Sequence, residues 1–222
     1  MKYSIVLFLI CLLSFQSAYS QEDVNVKPGI DRWSIKTSIG SGDSKDVELS
    51  DLLNLPLLDP QYNDRTYATT LIPQVQAGNI KEGDIITTYG YLRLVALEDA
   101  SSTKEDGDYH IQLTLSDQST DSCFIVEIPY SQFITDPMLK DSAEGRRAFI
   151  RDRLLKGKEP STSGSVMQSS VYVKVTGQLF YDAIHAAQMR GANPTYRGKK
   201  GMHSYTAWEL HPVVDIEFAR PE

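Results

Sequence analysis

Cysteine is scarce in this sequence, which limits the kinds of site that it can hold. The chain of 222 residues contains two cysteines, Cys11 and Cys123. Cys11 falls within a predicted signal peptide, so the mature chain keeps one cysteine and has no intramolecular disulfide. A zinc site built on several thiolates is excluded for the same reason. We interpret Cys123, which opens a predicted strand, as a small buried apolar residue and not as a reactive thiol.

Sequence signals of catalysis and of general nucleic-acid binding are also missing. The chain has no glycine-rich phosphate loop, no Ser/His/Asp or Cys/His nucleophile pattern and no short metal-ligand motif. Lys and Arg number 22 against 29 Asp and Glu, so the formal net charge is −7. An acidic chain is poorly suited to a phosphate backbone, because that affinity comes mostly from Lys and Arg.

The one strongly apolar segment lies at the N-terminus. Lys2 precedes an apolar run over residues 5–15, and Ala18 and Ser20 are the small residues expected before a cleavage site. We predict a signal peptide over residues 1–20 and an exported protein, periplasmic or secreted. Its removal takes Lys2 away and changes the net charge from −7 to −8. No later run is apolar over the roughly 20 residues that a transmembrane helix needs.

Five segments with strand character follow, and one helix separates the third from the fourth. Alternating apolar and polar residues predict strands over residues 84–98, 108–116, 122–129, 171–182 and 208–218. Residues spaced to share one helix face predict the helix over residues 142–155. This order is typical of the oligonucleotide/oligosaccharide-binding fold (OB-fold), a five-stranded Greek-key barrel. We predict a mainly β protein with an OB-like barrel over residues 83–222. Gly90 favours a bend in the first strand, and Pro212 predicts an edge or a bulge in the last.

Residues 21–82 are less regular and have too few apolar residues for a core of their own. We predict that they form an N-terminal extension packed on the barrel. Alternation over residues 32–37 indicates one short strand. Leucines over residues 48–58 indicate a helical turn that is capped by Ser50 and ended by Pro56.

The connections between the predicted elements differ in character. Asp141 or Ser142 is the expected N-cap of the long helix. Residues 157–170 are polar and rich in Ser and Gly, which predicts an exposed loop. Residues 186–205 form an unusually long connection between the last two strands, and such connections are often functional or disordered.

Several short motifs lie along the predicted mature chain. They are Arg32-Trp33 with Lys36-Thr37, Asp106-Gly107-Asp108-Tyr109-His110, Glu127-Ile128-Pro129, Val173-Lys174-Val175-Thr176-Gly177, Phe180-Tyr181-Asp182 with His185, and Glu209-Leu210-His211-Pro212-Val213. In these motifs the chain resembles a family of uncharacterised exported bacterial proteins. The resemblance implies an OB-fold-like barrel and no particular activity. The chain departs from the family after His185, where a glycine-rich stretch is usual and Ala186-Ala187-Gln188-Met189-Arg190 stands instead.

Histidines and carboxylates in these motifs form a first candidate site. Imidazoles and carboxylates are ligands for divalent transition metals. Their spacing matches no short metal motif, so hydrogen bonding at the barrel edges is the alternative interpretation. The candidate metal ligands are His110, His185, His211 and Glu209.

Aromatic and basic residues in and beside the long connection form a second candidate site. Single-stranded nucleic-acid binders stack bases on aromatic rings and hold the backbone with Arg and Lys. The same residue types suit an oligosaccharide or a peptide, and a solvated loop is the alternative. The candidate binding residues are Tyr172, Lys174, Phe180, Tyr181, Arg190, Tyr196, Arg197, Lys199 and Lys200.

Two functions are compatible with the sequence. The favoured one is a non-catalytic, exported OB-like domain that binds an oligosaccharide, peptide or nucleic acid. The alternative is a metal-dependent hydrolase, of phosphodiesters for instance, that uses the three motif histidines and a carboxylate. A shared metal site requires the imidazoles to converge, because zinc–nitrogen bonds are only about 2 Å long.

Overall fold

The computed structural model describes residues 32–73, 79–98, 107–118 and 121–221. The predicted signal peptide, Cys11 and Asp106 lie outside these residues. In the part of the chain that is described, no helix is long and apolar enough to cross a membrane.

Six strands and several short helices make up the described fold. The strands are β1 (Lys45–Asp46), β2 (Ile85–Leu97), β3 (Tyr109–Thr114), β4 (Phe124–Ile128), β5 (Ser165–Tyr181) and β6 (Trp208–Phe218). The helices are α1 (Trp33–Lys36), α2 (Leu49–Leu53), a 3-10 turn (Ser131–Phe133), α3 (Pro137–Phe149), a π-helical turn (Ile150–Leu154) and α4 (Ala183–Met189). The five long strands correspond to the five predicted ones.

Strands β2 to β6 close into a five-stranded barrel. They neighbour one another in the order β2-β3-β4-β6-β5, and β5 pairs with β2 to complete the ring. Within the ring only β4 and β6 pair in parallel, and β1 pairs in parallel with β2 from outside the ring. The prediction of a mainly β, OB-like Greek-key barrel with a helix between its third and fourth strands is confirmed.

One side of each barrel strand faces a closed apolar interior. Ile111 and Leu113 of β3, Val126 of β4 and Leu210 of β6 belong to the same buried cluster as Leu139 of α3. Full burial of one such side chain stabilises the fold by about 1.5–3 kcal/mol. Because side chains alternate along a strand, the neighbouring residues point outward from the barrel wall.

The glycine and the proline inside the barrel strands have specific positions. A Cβ atom on Gly90 would lie 2.7 Å from Leu49 Cδ2, so α2 can approach β2 only at a glycine. Pro212 lies just after Glu209 and Leu210, the residues of β6 that pair with β4. The β5–β6 register shifts at the same place. The predicted bulge at Pro212 is confirmed, and its missing amide hydrogen costs no ladder bond there.

Residues 32–37 contain helix α1 (Trp33–Lys36) between its capping residues Arg32 and Thr37, so the predicted strand is wrong. Arg32 has a left-handed backbone (φ 62°), and its guanidinium donates to both oxygens of Glu82 at 2.6 and 2.8 Å. Trp33 packs edge-on against Phe133, with ring centroids 5.3 Å apart. These long-range contacts outweigh a short alternating pattern.

Three predicted boundaries also move. Helix α3 starts at Pro137, because Asp136 accepts a hydrogen bond from Leu139 N at 2.8 Å and forms the N-cap in place of Asp141 or Ser142. A proline suits the first turn, where its missing N–H is not needed. The predicted turn near Pro56 is α2, but it begins after Glu48 and contains Ser50 instead of being capped by it.

Strand β5 begins at Ser165, six residues before its predicted start, so residues 157–170 are only partly a loop. Val166 pairs with Leu94 of β2 and is exposed, whereas Met167 is buried in the core. The polar composition of this segment concealed its alternation.

Candidate functional site

Several outward-facing residues of β3, β4 and β6 are polar and yet buried. His110, Glu127, Glu209 and His211 are at most 3% exposed. Their positions alternate with the core residues of the same strands, so they lie on the outside of the barrel wall. A second layer of the chain therefore covers this wall.

A hairpin from the long β5–β6 connection supplies much of that layer. Residues 196–205 fold back on themselves through an antiparallel bridge between Arg197 and Ser204. Lys199 N donates to Gln112 Oε1 at 2.7 Å, and Cys123 N donates to His203 O at 2.9 Å. These bonds tie the hairpin to β3 and to the start of β4.

A small apolar cluster fixes one side of this hairpin. Met202 is buried together with Leu94, Ala96, Cys123 and Ile125. Cys123 is free and fully buried, and burial raises its pKa to about 12. The interpretation of Cys123 as a buried apolar residue is confirmed.

Charged side chains fill the rest of the space between the hairpin, α1 and the barrel wall. We call these residues the ionic cluster. Its members are Lys36, Asp108, His110, Glu127, Asp182, Arg197, Glu209 and His211, all of them at most 9% exposed.

Arg197 is the central cation of the ionic cluster. Its Nη2 lies 2.6 Å from Glu127 Oε1, and its Nη1 donates to Glu209 and lies 3.9 Å from Asp182 Oδ2. Burial alone would lower the pKa of Arg197, but the carboxylates of Glu209, Glu127 and Asp182 raise it. The guanidinium is therefore a permanent charge that joins three carboxylates.

His211 is held between three carboxylates. Its Nδ1 lies 3.1 Å from Glu209 Oε1 and 3.2 Å from Glu127 Oε2, and its Nε2 lies 3.4 Å from Asp108 Oδ2. Burial favours neutral imidazole, but hydrogen bonds to Glu127 and Glu209 raise its pKa to about 9. Burial raises the pKa of Asp108 to about 6, in spite of the opposing charge of His211. At neutral pH His211 is thus an imidazolium.

His110 stands at the edge of the ionic cluster. Its Nδ1 lies 3.0 Å from both Glu127 Oε1 and Glu98 Oε1, and the Glu98 side chain is 32% exposed. Burial opposes the charge of His110, but its hydrogen bonds to Glu127 and Glu98 raise its pKa. Lys199 Nζ approaches Glu98 to 3.7 Å, so the hairpin also contributes a cation at this edge.

Asp182 connects the cluster to α1 and α4. Lys36 Nζ lies 3.9 Å from Asp182 Oδ2, and His185 Nδ1 lies 2.8 Å from the same oxygen. Asp182 Oδ1 also caps α4 by accepting from His185 N at 3.0 Å. Burial would raise the pKa of Asp182, but the charges of His185, Lys36 and Arg197 hold it well below its usual range.

The predicted metal ligands do not share one site. His110 and His211 meet at opposite oxygens of Glu127, whereas His185 contacts Asp182. Among the described residues, two groups of three side chains have potential ligand atoms that all lie within 4.8 Å of one another. They are Glu98/His110/Glu127 and Asp108/Glu127/His211. Neither group contains His185 or Glu209.

These two groups fit a catalytic metal poorly. In the first, the oxygen of Glu127 that faces His110 already accepts from Arg197 at 2.6 Å, so a metal would meet a guanidinium. The second group is completely buried, whereas a catalytic metal keeps an open coordination position. The cations of the cluster already compensate its carboxylates.

The predicted binding residues lie in several places. Arg197 is buried in the ionic cluster and is only 8% exposed. Phe180 is buried beneath Arg32 and Lys36, which lie 4.9 and 5.4 Å from its ring centroid. Tyr181 is buried against Trp208 and accepts a hydrogen bond from exposed Arg190 at 3.0 Å.

Two of the predicted binding residues lie on the outer face of β5. Tyr172 packs edge-on against Tyr91, with ring centroids 4.9 Å apart, and Lys174 pairs with Glu217 at 3.0 Å. In the sheet Tyr172 lies opposite Tyr91 of β2, and Lys174 lies opposite Glu217 of β6. The remaining candidates, Tyr196, Lys199 and Lys200, belong to the hairpin.

The outer side of the hairpin carries an aromatic group, of which only Tyr196 is among the predicted binding residues. Tyr196 and Tyr205 are 41% and 46% exposed, and His203 is exposed between them. Ring centroids lie 5.0 Å apart for Tyr196–Tyr205, 6.2 Å for Tyr196–His203 and 6.1 Å for His203–Tyr205. His203 and Tyr205 are two residues apart, and this spacing in the sequence indicates that both rings lie on one side of an extended segment.

Comparisons with known proteins indicate no function for this chain. No protein-family model matches the chain, and no curated protein matches it. The family resemblance stays a prediction, and the function has to be inferred from the site.

Proposed function

We propose that this protein is an exported, non-catalytic OB-like domain that binds an oligosaccharide through the hairpin of residues 196–205. The observation that carries the proposal is the exposed group of Tyr196, His203 and Tyr205 on that hairpin. Three neighbouring, partly exposed rings offer surfaces on which the rings of a ligand can pack.

The position of this group within the fold supports a binding role. OB-folds contact their ligands with the face of their second and third strands and with the loops before strand two and before strand five. In this chain the corresponding face belongs to β3 and β4, and the hairpin lies across it. The surface that remains for a ligand is the outer side of the hairpin.

The layer beneath the hairpin also supports binding. The ionic cluster and the apolar contacts of Met202 hold the hairpin from below. A loop that is already ordered loses little conformational entropy when a ligand binds, which increases affinity. On this interpretation the buried charges position the aromatic group and do not take part in chemistry.

An oligosaccharide is favoured over a nucleic acid by the distribution of charge. The chain carries a net charge of −7, and Lys199, one of the two lysines of the hairpin, lies near Glu98. Nucleic-acid binders need several cations that neutralise phosphates. Aromatic faces with few cations suit an uncharged chain of rings better.

Binding screens with the chain from Gln21 onward test this proposal. We expect retention on an oligosaccharide array and weak, salt-sensitive binding to single-stranded DNA. Metal analysis of the same preparation addresses the hydrolase alternative, which requires a bound metal at one of the two groups of ligand atoms. Stoichiometric zinc with phosphodiesterase activity, or binding to DNA alone, would contradict the proposal.

A further inference from the structure

A cleft beside α3, away from the hairpin, has no role in the proposed function. It has a volume of about 700 Å³ and lies between α3, the π-helical turn and the segments on either side of β3 and β4. Its lining includes Leu97, Tyr130, Glu144, Arg147, Arg151 and Glu159. None of its lining residues belongs to the hairpin or to the ionic cluster.

Arg147 is the unusual residue of this cleft. Its guanidinium lies 3.8 Å from the ring centroid of Tyr109 and 5.1 Å from that of Tyr130, and it donates to Gly107 O at 2.7 Å. It is half-buried, and burial lowers its pKa. Among the described residues no carboxylate lies within ion-pair distance of Arg147. A half-buried guanidinium without a carboxylate partner can form charge-assisted hydrogen bonds with an external anion.

A second guanidinium faces the same cleft. Arg151 lies one helical turn after Arg147, and residues with this spacing share a helix face. It belongs to the π-helical turn, a feature that is frequent at functional sites. Arg151 contacts Asp152 at 2.9 Å and Glu159 at 3.6 Å, and both carboxylates are more than half exposed. Glu159 also accepts a hydrogen bond from the Tyr109 hydroxyl. Exposed ion pairs of this kind contribute little energy, so they compete only weakly with an external anion for Arg151.

We propose that this cleft binds a small organic anion, with its carboxylate or phosphate group on Arg147 and Arg151. A planar guanidinium pairs with either group through two parallel hydrogen bonds. Leu97, Ala148 and the Tyr130 ring supply an apolar wall for the body of the ligand. The exposed carboxylates of Glu144 and Glu159 favour a ligand with one anionic group over a polyanion.

Three ring compounds of similar size test the site. Benzoate and phenyl phosphate carry the two candidate anionic groups, and benzamide is the uncharged counterpart of benzoate. Binding to the chain from Gln21 onward is measured by isothermal titration calorimetry. We expect saturable binding of benzoate or phenyl phosphate and none of benzamide. The anion that binds more tightly identifies the preferred group.

Variants link the binding to the two arginines. Arg147→Gln and Arg151→Gln should each weaken binding about tenfold or more, as expected when a charged hydrogen bond is lost. Arg153→Gln is the matched control, because Arg153 lies 5.8 Å from the Phe218 ring and outside the cleft.

If Arg147→Gln does not fold, Arg151→Gln decides, because Arg151 is part of an exposed pair. No saturable binding of either anion, equal binding of benzamide, or unchanged affinity in Arg151→Gln overturns the proposal. We expect Arg151→Gln to bind the oligosaccharide as the parent protein does. Failure of the anion proposal can therefore be distinguished from failure of the oligosaccharide proposal.

Discussion

Arg197 Nη2 and Glu127 Oε1 lie 2.6 Å apart and join the hairpin to strand β4. Both side chains are at most 6% exposed. A buried ion pair is not in itself stabilising, since removing both charges from water costs several kcal/mol each. Loss of one partner is different, because it leaves the other charge buried without compensation. The position of the hairpin should therefore depend on Arg197.

Arg197→Gln should destabilise the protein strongly. It leaves Glu127, Glu209 and Asp182 without their shared cation, and breaking a buried pair in this way costs about 3–5 kcal/mol. Urea denaturation of the variant measures the loss. Lys200→Gln, in the same hairpin but exposed, should change the free energy of unfolding by less than about 0.5 kcal/mol. Equal stability of the two variants would show that the cluster does not hold the hairpin.

Stability should fall as the pH rises through the alkaline range. The pKa of His211 is raised to about 9 in the folded protein, whereas an unfolded histidine titrates near about 6.5. The imidazolium therefore stabilises the fold fully below about pH 6.5 and loses this effect as the pH rises through about 9. His110, whose pKa is also raised, acts in the same direction.

Denaturation curves at about pH 7 and about pH 9.5 test this dependence. The free energy of unfolding should change by about 1.4 kcal/mol for each unit by which the pKa differs between the folded and unfolded states. His211→Gln should be less stable at neutral pH and should show a smaller loss on going to alkaline pH. His203→Gln, which changes an exposed histidine, should retain the slope of the parent protein. An identical slope in His211→Gln would contradict the charge assignment.

Arg32 should fix the segment before the barrel. Its guanidinium donates to Glu82 and to the backbone oxygens of Tyr67, Thr70 and Tyr181. Arg32→Gln removes these bonds and leaves the buried Glu82 carboxylate unpaired, at a cost of about 3–5 kcal/mol. Limited proteolysis should then cut before Ile85 much faster than in the parent chain. Lys45→Gln, which removes an exposed pair with Asp84, should leave the cleavage rate nearly unchanged.

Cys123 should be inert in the folded protein. It is fully buried, its pKa is raised to about 12, and only the thiolate reacts readily. We expect the chain from Gln21 onward to react with a thiol reagent at the rate of global unfolding, so that urea speeds the reaction. Rapid labelling in the absence of denaturant would mean that the hairpin opens and exposes Met202 and Cys123.

The barrel could be predicted because its signal is local. Alternation in β3, β4 and β6 fixes which residues face the core, and the order of strands and helix restricts the topology. Residues 32–37 show where this fails, since α1 is set by contacts of Arg32 and Trp33 with distant residues. Six residues of alternation carry too little weight against such contacts.

The candidate site was only partly predictable, because its layers come from distant parts of the chain. His110, His211 and Glu209 were predicted as site residues because they lie in short motifs in which histidines stand beside carboxylates. Arg197 lies in the most basic stretch of the chain, which by composition reads as exposed, and only the folded hairpin buries it. Glu127 is the only charged residue of β4 and all its neighbours in that strand are apolar. A buried carboxylate at this position indicates a buried cation such as Arg197.

The most direct test of the central claim compares affinities for the oligosaccharide that the chain retains best on an array. A Tyr196→Ala/Tyr205→Ala variant removes the two exposed rings of the hairpin, and Tyr89→Ala removes a tyrosine that is 44% exposed on β2. We expect the double variant to bind at least about tenfold more weakly, as for stacked rings worth about 1–3 kcal/mol each, and Tyr89→Ala to bind like the parent. Unchanged affinity in the double variant, with loss in Tyr89→Ala, would move the binding surface to another face of the barrel and contradict the account.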